Sequence, residues 1–277
     1  MQGYQIRLFN DRTDFEKMQQ LEKDTWGMGP IPLHQTLTAH KNGGLLLGAF
    51  QEDRLIGFSY GFAGFANGSS YLCSHMLGIH PDYQKKGIGE ALKNAQKQEA
   101  SRLGYDQVTW TFDPLESVNA YLNLTKLKAV CSTYEVNCYG KMEDGLNAGL
   151  PTDRLKVDWW IQSEYVNNSF DFSEEKAKVF AEYEDTKEGF PKISLSHPLY
   201  LDKEEALLVP IPKKFQEIKS YSFDLALDWR MNIRAIFLQL FTNGYTAVKL
   251  IQRPNEPVNY YLFVKNSQLA MRKEEEK

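Results

Sequence analysis

The chain predicts an α/β fold of the α+β kind: a mixed, mostly antiparallel central sheet flanked by helices, with a C-terminal β-α-β-β extension. Three observations carry this. Apolar stretches at 44–50 (GLLLGAF), 54–64 (RLIGFSYGFAG) and 69–79 (SSYLCSHMLGI) follow one another at turn-length spacing, as antiparallel neighbours do. Residues 75–112 read strand, glycine turn, helix, strand. Beyond residue 204 a strand, a proline-containing turn, a long helix and two strands repeat the order of 106–162.

Taken in order, YQIRLF (4–9) alternates like a strand, and Asp11 or Thr13 is placed to cap a helix in which Phe15, Met18, Leu21 and Trp26 share a face. The loop GMGPIPL follows, and QED turns the first hairpin. From Gly87 the apolar positions Ile88, Ala91, Leu92, Ala95 and Leu103 recur at helical spacing; Gly104 stops the helix and DQVTWTF alternates as a strand. After Asp113-Pro114 a second helix is expected over 117–127, then strands near 130–139 and 154–162 (RLKVDWWIQ), where DWW reads as core packing. The polar run 163–203, with one short helix, reads as a connecting segment. ALLVPI, a helix over 224–242, YTAVKLI and NYYLFV follow, and the tail MRKEEEK frays. The expected organisation is 1–163, a linker 164–203, and a unit 204–277 that is a candidate half-repeat of the first, without a second glycine turn.

With 277 residues, the chain is long enough to bury a core without metal or disulfide staples. Apolar residues at 42%, charged residues at 25% and a net charge of −4 exclude a disordered chain and a supercharged nucleic-acid binder. MQGYQIRLFNDRTDFEKM lacks the basic-then-apolar order of a signal peptide, and no apolar run approaches the ~18 residues that span a bilayer. A cytoplasmic protein with neither membrane nor nucleic acid as partner is expected. Cysteines 73, 131 and 138 are odd in number and form no C-x-x-C pair, so neither a disulfide framework nor a zinc site is expected; Cys73 and Cys131 read as buried, inert thiols rather than as carriers of an acyl-cysteine intermediate. Histidines 34, 40, 75, 80 and 197 lack the i, i+4 spacing of a helical metal site, so no metal is expected.

The informative stretch is HMLGIHPDYQKKGIG at 75–89, where a strand hands over to a helix. A helix's first turn presents unpaired N–H groups and the positive end of its dipole, which hold anions if nothing bulky intervenes. Gly87 and Gly89 remove that bulk, and Lys85 and Lys86 add charge beside it. These features describe a cradle for a pyrophosphate. Neither Gly-x-Gly-x-x-Gly nor Gly-Lys-Ser/Thr is present, and the preceding strand belongs to an antiparallel series.

The element order over 1–162, with LGIHPDYQKKGIGEAL at its centre, resembles the GNAT superfamily of acyl-CoA-dependent N-acyltransferases, whose signature Gln/Arg-x-x-Gly-x-Gly/Ala is matched by Gln84, Gly87 and Gly89. The run WTFDPLESVNAYLN, followed by YG and LPTDRLKVDWW, is further similar to a subgroup found beside amino-acid racemase or menaquinone-type enolase-superfamily enzymes. The resemblance covers a little over half the chain and implies the GNAT fold. It implies that acetyl-CoA or another acyl-CoA is co-substrate, its pyrophosphate on Gln84, Lys85, Lys86, Gly87, Ile88 and Gly89. The pantetheine arm would lie on the main chain of Met76, Leu77 and Ile79. In many members a second-helix tyrosine in Leu-Tyr-x-x-x-Gly-Phe protonates the leaving thiolate; here Leu124 falls at that place, with Lys128-Ala129 at the Gly-Phe. Tyr121 or Tyr134 is the substitute, and a thiol with a pKa near ~8.5 leaves tolerably as thiolate.

On the same resemblance His75 faces the thioester as candidate base, against a structural histidine in the sheet; His80 reads as a loop residue. Asp113 either orients the amine or caps the turn with Pro114. Asn119 bonds the pantetheine arm or serves as a cap or helix-surface residue. Arg154 and Lys156 hold an acceptor carboxylate or lie on the surface. The expected function is transfer of an acetyl or succinyl group to the primary amine of a small metabolite, foremost an amino acid, by direct attack, with a homodimer as candidate assembly. The alternative is a catalytically degenerate acyl-CoA-binding regulatory module.

Overall fold

The computed structural model describes residues 3–27, 29–140, 149–168, 172–194, 201 and 205–269. His197 and the tail from 270 lie outside them. The chain falls into two compact units, Met1–Trp110 with Trp160–Gln162, and Thr111–Trp159 with Ser163–Lys277.

The first unit begins with β1 (Gln5–Leu8), α1 (Arg12–Trp26), α2 (Leu33–Lys41), β2 (Leu45–Gln51), β3 (Arg54–Ala66) and β4 (Ser69–Ile79). A single 3-10 turn at Pro81–Tyr83 leads to α3 (Ile88–Arg102) and β5 (Gln107–Phe112). The strands lie in the order β1-β2-β3-β4-β5. Neighbours among β1 to β4 are antiparallel, and β4 and β5 are parallel. Asp11 caps α1 by accepting from the Thr13 and Asp14 N–H groups. The apolar face of α1 (Phe15, Met18, Leu21) packs on Leu46, Phe50, Phe58 and Tyr60, while Trp26 sits at the rim, edge-on to Phe58 at 6.0 Å.

Two details depart from the sequence expectation here. Helix α2 follows the GMGPIPL loop, starting after Pro32 without a side-chain cap and burying only Thr36. The buried face of α3 is Ile88, Leu92, Lys93, Gln96 and Ala100, with Leu103 exposed past the helix end.

The second unit holds α4 (Ser117–Ala120), β6 (Val130–Glu135), β7 (Arg154–Trp160), α5 (Glu164–Asn167), β8 (Lys178–Val179), β9 (Glu182–Asp185), β10 (Pro191–Ser194), β11 (Ala206–Pro212), α6 (Phe215–Tyr221), α7 (Phe223–Thr242), β12 (Tyr245–Ile251) and β13 (Val258–Lys265). Its strands run β7-β6-β12-β13-β11-β8, with β9 and β10 a separate hairpin. β6 meets β12 antiparallel at Cys131↔Ala247.

The helix expected over 117–127 is one α-turn continued by a wide π-turn at Tyr121–Lys126. The strand expected over 130–139 ends at Glu135. The β9/β10 hairpin lies in a stretch whose charged residues gave no strand pattern.

Candidate active site

The glycine turn is built by local rules. Gly87 takes φ +79°, a left-handed conformation open to glycine at little cost, and Lys85 has φ +60°. Gly87 is the N-cap residue of α3 and brings no side chain to the cap, so the N–H groups of the first turn are left for a ligand. Space above Gly87 is open, and a Cβ on Gly89 would meet only Leu77 Cδ2, at 3.7 Å. Gln84 donates from Nε2 to the Ile79 carbonyl at 3.3 Å, pinning the loop to the end of β4. Lys86 Nζ donates to the Asp82 carbonyl at 2.8 Å and lies 4.9 Å from the Tyr83 ring centre. Lys85 and Lys86 are both exposed beside the turn. An anionic diphosphate fits this set of donors.

Upstream, β4 departs from regularity twice. Met76 pairs with Tyr60 and Ser74 with Gly61, so His75 is the extra residue of a bulge with no partner on β3. The ladder to β5 consists of Leu72↔Val108 and Cys73↔Thr109. From Ser74 to Ile79, among the described residues, β4 pairs with β3 alone. Its other edge, including Met76, Leu77 and Ile79, is free for an extended ligand.

His75 projects beside Tyr60 (ring centres 5.9 Å apart) and Phe62 (5.6 Å). Its outer edge is exposed, yet crowding by the surrounding protein disfavours the charged form and lowers its pKa below the ordinary imidazole value. That shift favours the neutral, proton-accepting form of the ring. Tyr60 and Phe62 also line an open cavity of about 470 Å³ with His34, Gln35, Thr38 and Ala39. No carboxylate or ammonium is among these lining groups. His80, at the loop, accepts from the Asp82 N–H and meets Arg54 at 2.9 Å.

Sequence reasoning missed Lys93, whose position in the helix reads as solvated. It is 2% exposed, and Nζ donates to Ser74 Oγ at 2.7 Å and to Gln96 Oε1 at 3.3 Å. It lies 3.5 Å from the Trp110 ring centre. Removal from water pushes its pKa down to about 7. The one available signal was position: Lys93 is four residues after Gly89 and three before Gln96, on the face that meets the sheet.

The remaining predicted residues belong to the second unit. Both Asp113 oxygens accept from Arg230 (2.9 and 2.5 Å), and Oδ1 also accepts from the Leu115 N–H, closing the turn at Pro114. Arg154 is buried, 3.7 Å from Asp113, and donates to the Asp153 carbonyl. Lys156 approaches Asp158 at 3.5 Å. Tyr121 opens the π-turn, Asn119 is exposed on α4, and Leu124 is buried. Tyr134 donates to Asp153, and burial first, then that carboxylate, push its phenol well above the ordinary range. Cys131 is fully buried with its thiol pushed up by the same burial, an inert environment.

Residues 10–123 match the profile of the acetyltransferase (GNAT) family. Residues 10–123 are thus similar to a GNAT-family acetyltransferase domain, and the rest of the chain lies outside that match. Among solved structures the chain is similar to yncA of Salmonella typhimurium with its cofactor acetyl-CoA (14% identity, TM-score 0.47, 61% of this chain and 99% of that one). It is similar to the ribosomal-protein-S18-alanine N-acetyltransferase of Escherichia coli (16%, 0.46, 61% and 99%). It is likewise similar to Arabidopsis thaliana NAA60 in complex with acetyl-CoA (16%, 0.45, 57% and 99%). No curated protein matches the chain.

Proposed function

We propose that the chain is an N-acyltransferase that moves an acetyl or succinyl group from acyl-CoA to the primary amine of a small metabolite, foremost an amino acid. The observation that carries the reading is the end of the β4–β5 ladder at Cys73↔Thr109, which frees one edge of β4 directly upstream of the Gly87–Gly89 turn. A free strand edge takes up an extended, amide-bearing arm through main-chain hydrogen bonds. On this reading Met76, Leu77 and Ile79 hold the arm, and Gln84, Lys85, Lys86, Gly87, Ile88 and Gly89 hold the diphosphate. When bound, acyl-CoA supplies a thioester carbonyl open to attack by an amine.

His75, neutral and unpaired in its bulge, takes the proton that the acceptor ammonium must lose. The cavity next to it takes the body of the acceptor, since Tyr60, Phe62 and Ala39 give it an apolar wall and Gln35 and Thr38 polar edges. Asp113, Tyr121, Asn119, Arg154 and Lys156 stay candidates on the resemblance alone, to be tested with stability as a control because Asp113, Arg154 and Lys156 make ion pairs. The 204–277 unit as a half-repeat is part of the proposal, supported by the order β7-β6-β12-β13, in which β6 and β7 are mirrored by β12 and β13. Cytoplasmic location and homodimeric assembly complete it.

Buried Leu124 favours one second reading, an acyl-CoA-binding module without turnover, because the second helix offers no acid there. Thiol release from acetyl-CoA and succinyl-CoA, measured across a panel of free amines, separates the two. Turnover with an apolar amino acid supports the enzyme, whereas acyl-CoA binding with no thiol release from any amine supports the module.

A further inference from the structure

We infer that Lys93 is a catalytic residue that donates a proton to the sulfur of the departing coenzyme A thiolate. The inference rests on the acyl-CoA reading above and adds an acid to it. Its ground is placement. The last paired residues of β4 and β5 are Cys73 and Thr109, and the next residue on each strand, Ser74 and Trp110, is what the Lys93 ammonium touches. The ammonium therefore sits where the two strands part, beneath the edge assigned to the thioester-bearing arm.

Its surroundings fit an acid better than a structural ion. Ser74 Oγ donates to Gln96 Oε1 at 2.9 Å and Gln96 Nε2 to Ser59 Oγ at 2.7 Å, so β4, α3 and β3 present only neutral groups, and β5 presents the Trp110 face. The titratable group that acts on Lys93 is the Cys73 thiol, itself pushed up by burial, and among the described residues no carboxylate is paired with the ammonium. A buried ammonium without a counter-anion is costly unless an anion arrives. An arriving thiolate raises the ammonium's pKa while the ammonium lowers the thiol's, so the two titrate as a coupled pair that shares one proton.

The balance closes. The acceptor nitrogen forms the C–N bond as the C–S bond breaks, its electron pair going to sulfur. Sulfur takes a proton from Lys93, the acceptor's surplus proton leaves through His75, and solvent restores the Lys93 ammonium after the thiol departs.

The test needs no turnover. Coenzyme A bound to the protein is titrated by thiolate absorbance, with desulfo-coenzyme A as blank, in wild type and in Lys93→Met. The inference predicts at least tenfold more thiolate at a given pH in wild type, a shift of about one pKa unit or more. Lys93→Gln, which keeps a polar head against Ser74, gives the same loss and stands in if the methionine variant does not fold. Identical thiol titrations in wild type and variant, with coenzyme A still bound at the turn, overturn the inference and leave the acyl-CoA reading standing. Absence of binding to wild type removes both.

Discussion

Replacing Lys93 by methionine changes how stability depends on pH, by an amount that follows from burial. The side chain is 2% exposed and its pKa is down to about 7 from an ordinary value of 10.5. Below about pH 7 both folded and unfolded chains hold this proton, and the folded state carries the full cost of a buried charge. Between about pH 7 and 10.5 the unfolded chain keeps the proton while the folded chain has released it, so unfolding takes one up. Stability contributed by this site therefore rises with pH across that window. At ~1.4 kcal/mol per unit, wild type gains roughly 2 kcal/mol over Lys93→Met between about pH 7 and 9. Methionine fills similar volume without a charge, so the variant is the more stable protein at pH 6, and its advantage shrinks as pH rises. Denaturant melts of both proteins at four pH values measure the difference directly, with all other titrating groups cancelling. A stability difference that stays flat from pH 6 to 9 would refute the reasoning, since Lys93 would then titrate alike in both states.

Two further outcomes follow. With His75 as base, kcat/KM rises with pH through an apparent pKa below about 6.5, because crowding lowers the imidazole value; His75→Gln removes that limb and slows turnover ~10²-fold, whereas a retained limb with near-normal turnover rejects the assignment. Asp153, fully buried, accepts from Tyr134 and, through both oxygens, from Arg234 at 2.8 Å, so Asp153→Ala is expected to lose about 3 kcal/mol or more in a denaturant melt, and a loss below ~1 kcal/mol would show that the pair is solvated.

What could be read in the sequence was what has a period. The strands at Ser69–Ile79 and Tyr245–Ile251 fall where their apolar runs place them, and Asp11 caps α1 as its side chain predicts. Gly87 is legible because a positive φ at a helix start selects glycine. The α2 helix was not, since it buries only Thr36 and starts without a capping side chain. Nor was the β9/β10 hairpin, where Glu182, Glu184 and Lys192 are exposed and little apolar alternation remains. Lys93 was hidden for a different reason: a lysine within a helix reads as solvent-facing, and only the bulged, parting strands reveal that it is enclosed. The commitment of Asp113 to Arg230 spans 117 residues of chain, a distance that no local pattern encodes.

The central claim is that acyl-CoA is held at the Gly87–Gly89 turn. Gly89→Glu tests it most directly, because a Cβ there meets only Leu77 at 3.7 Å and the fold accommodates it, while a carboxylate is placed among the N–H groups meant for phosphate. Calorimetric titration of acetyl-CoA is predicted to show one molecule bound per wild-type chain and none in Gly89→Glu, with both proteins melting cooperatively. Undiminished binding by the folded variant, or two molecules per wild-type chain, would contradict the account.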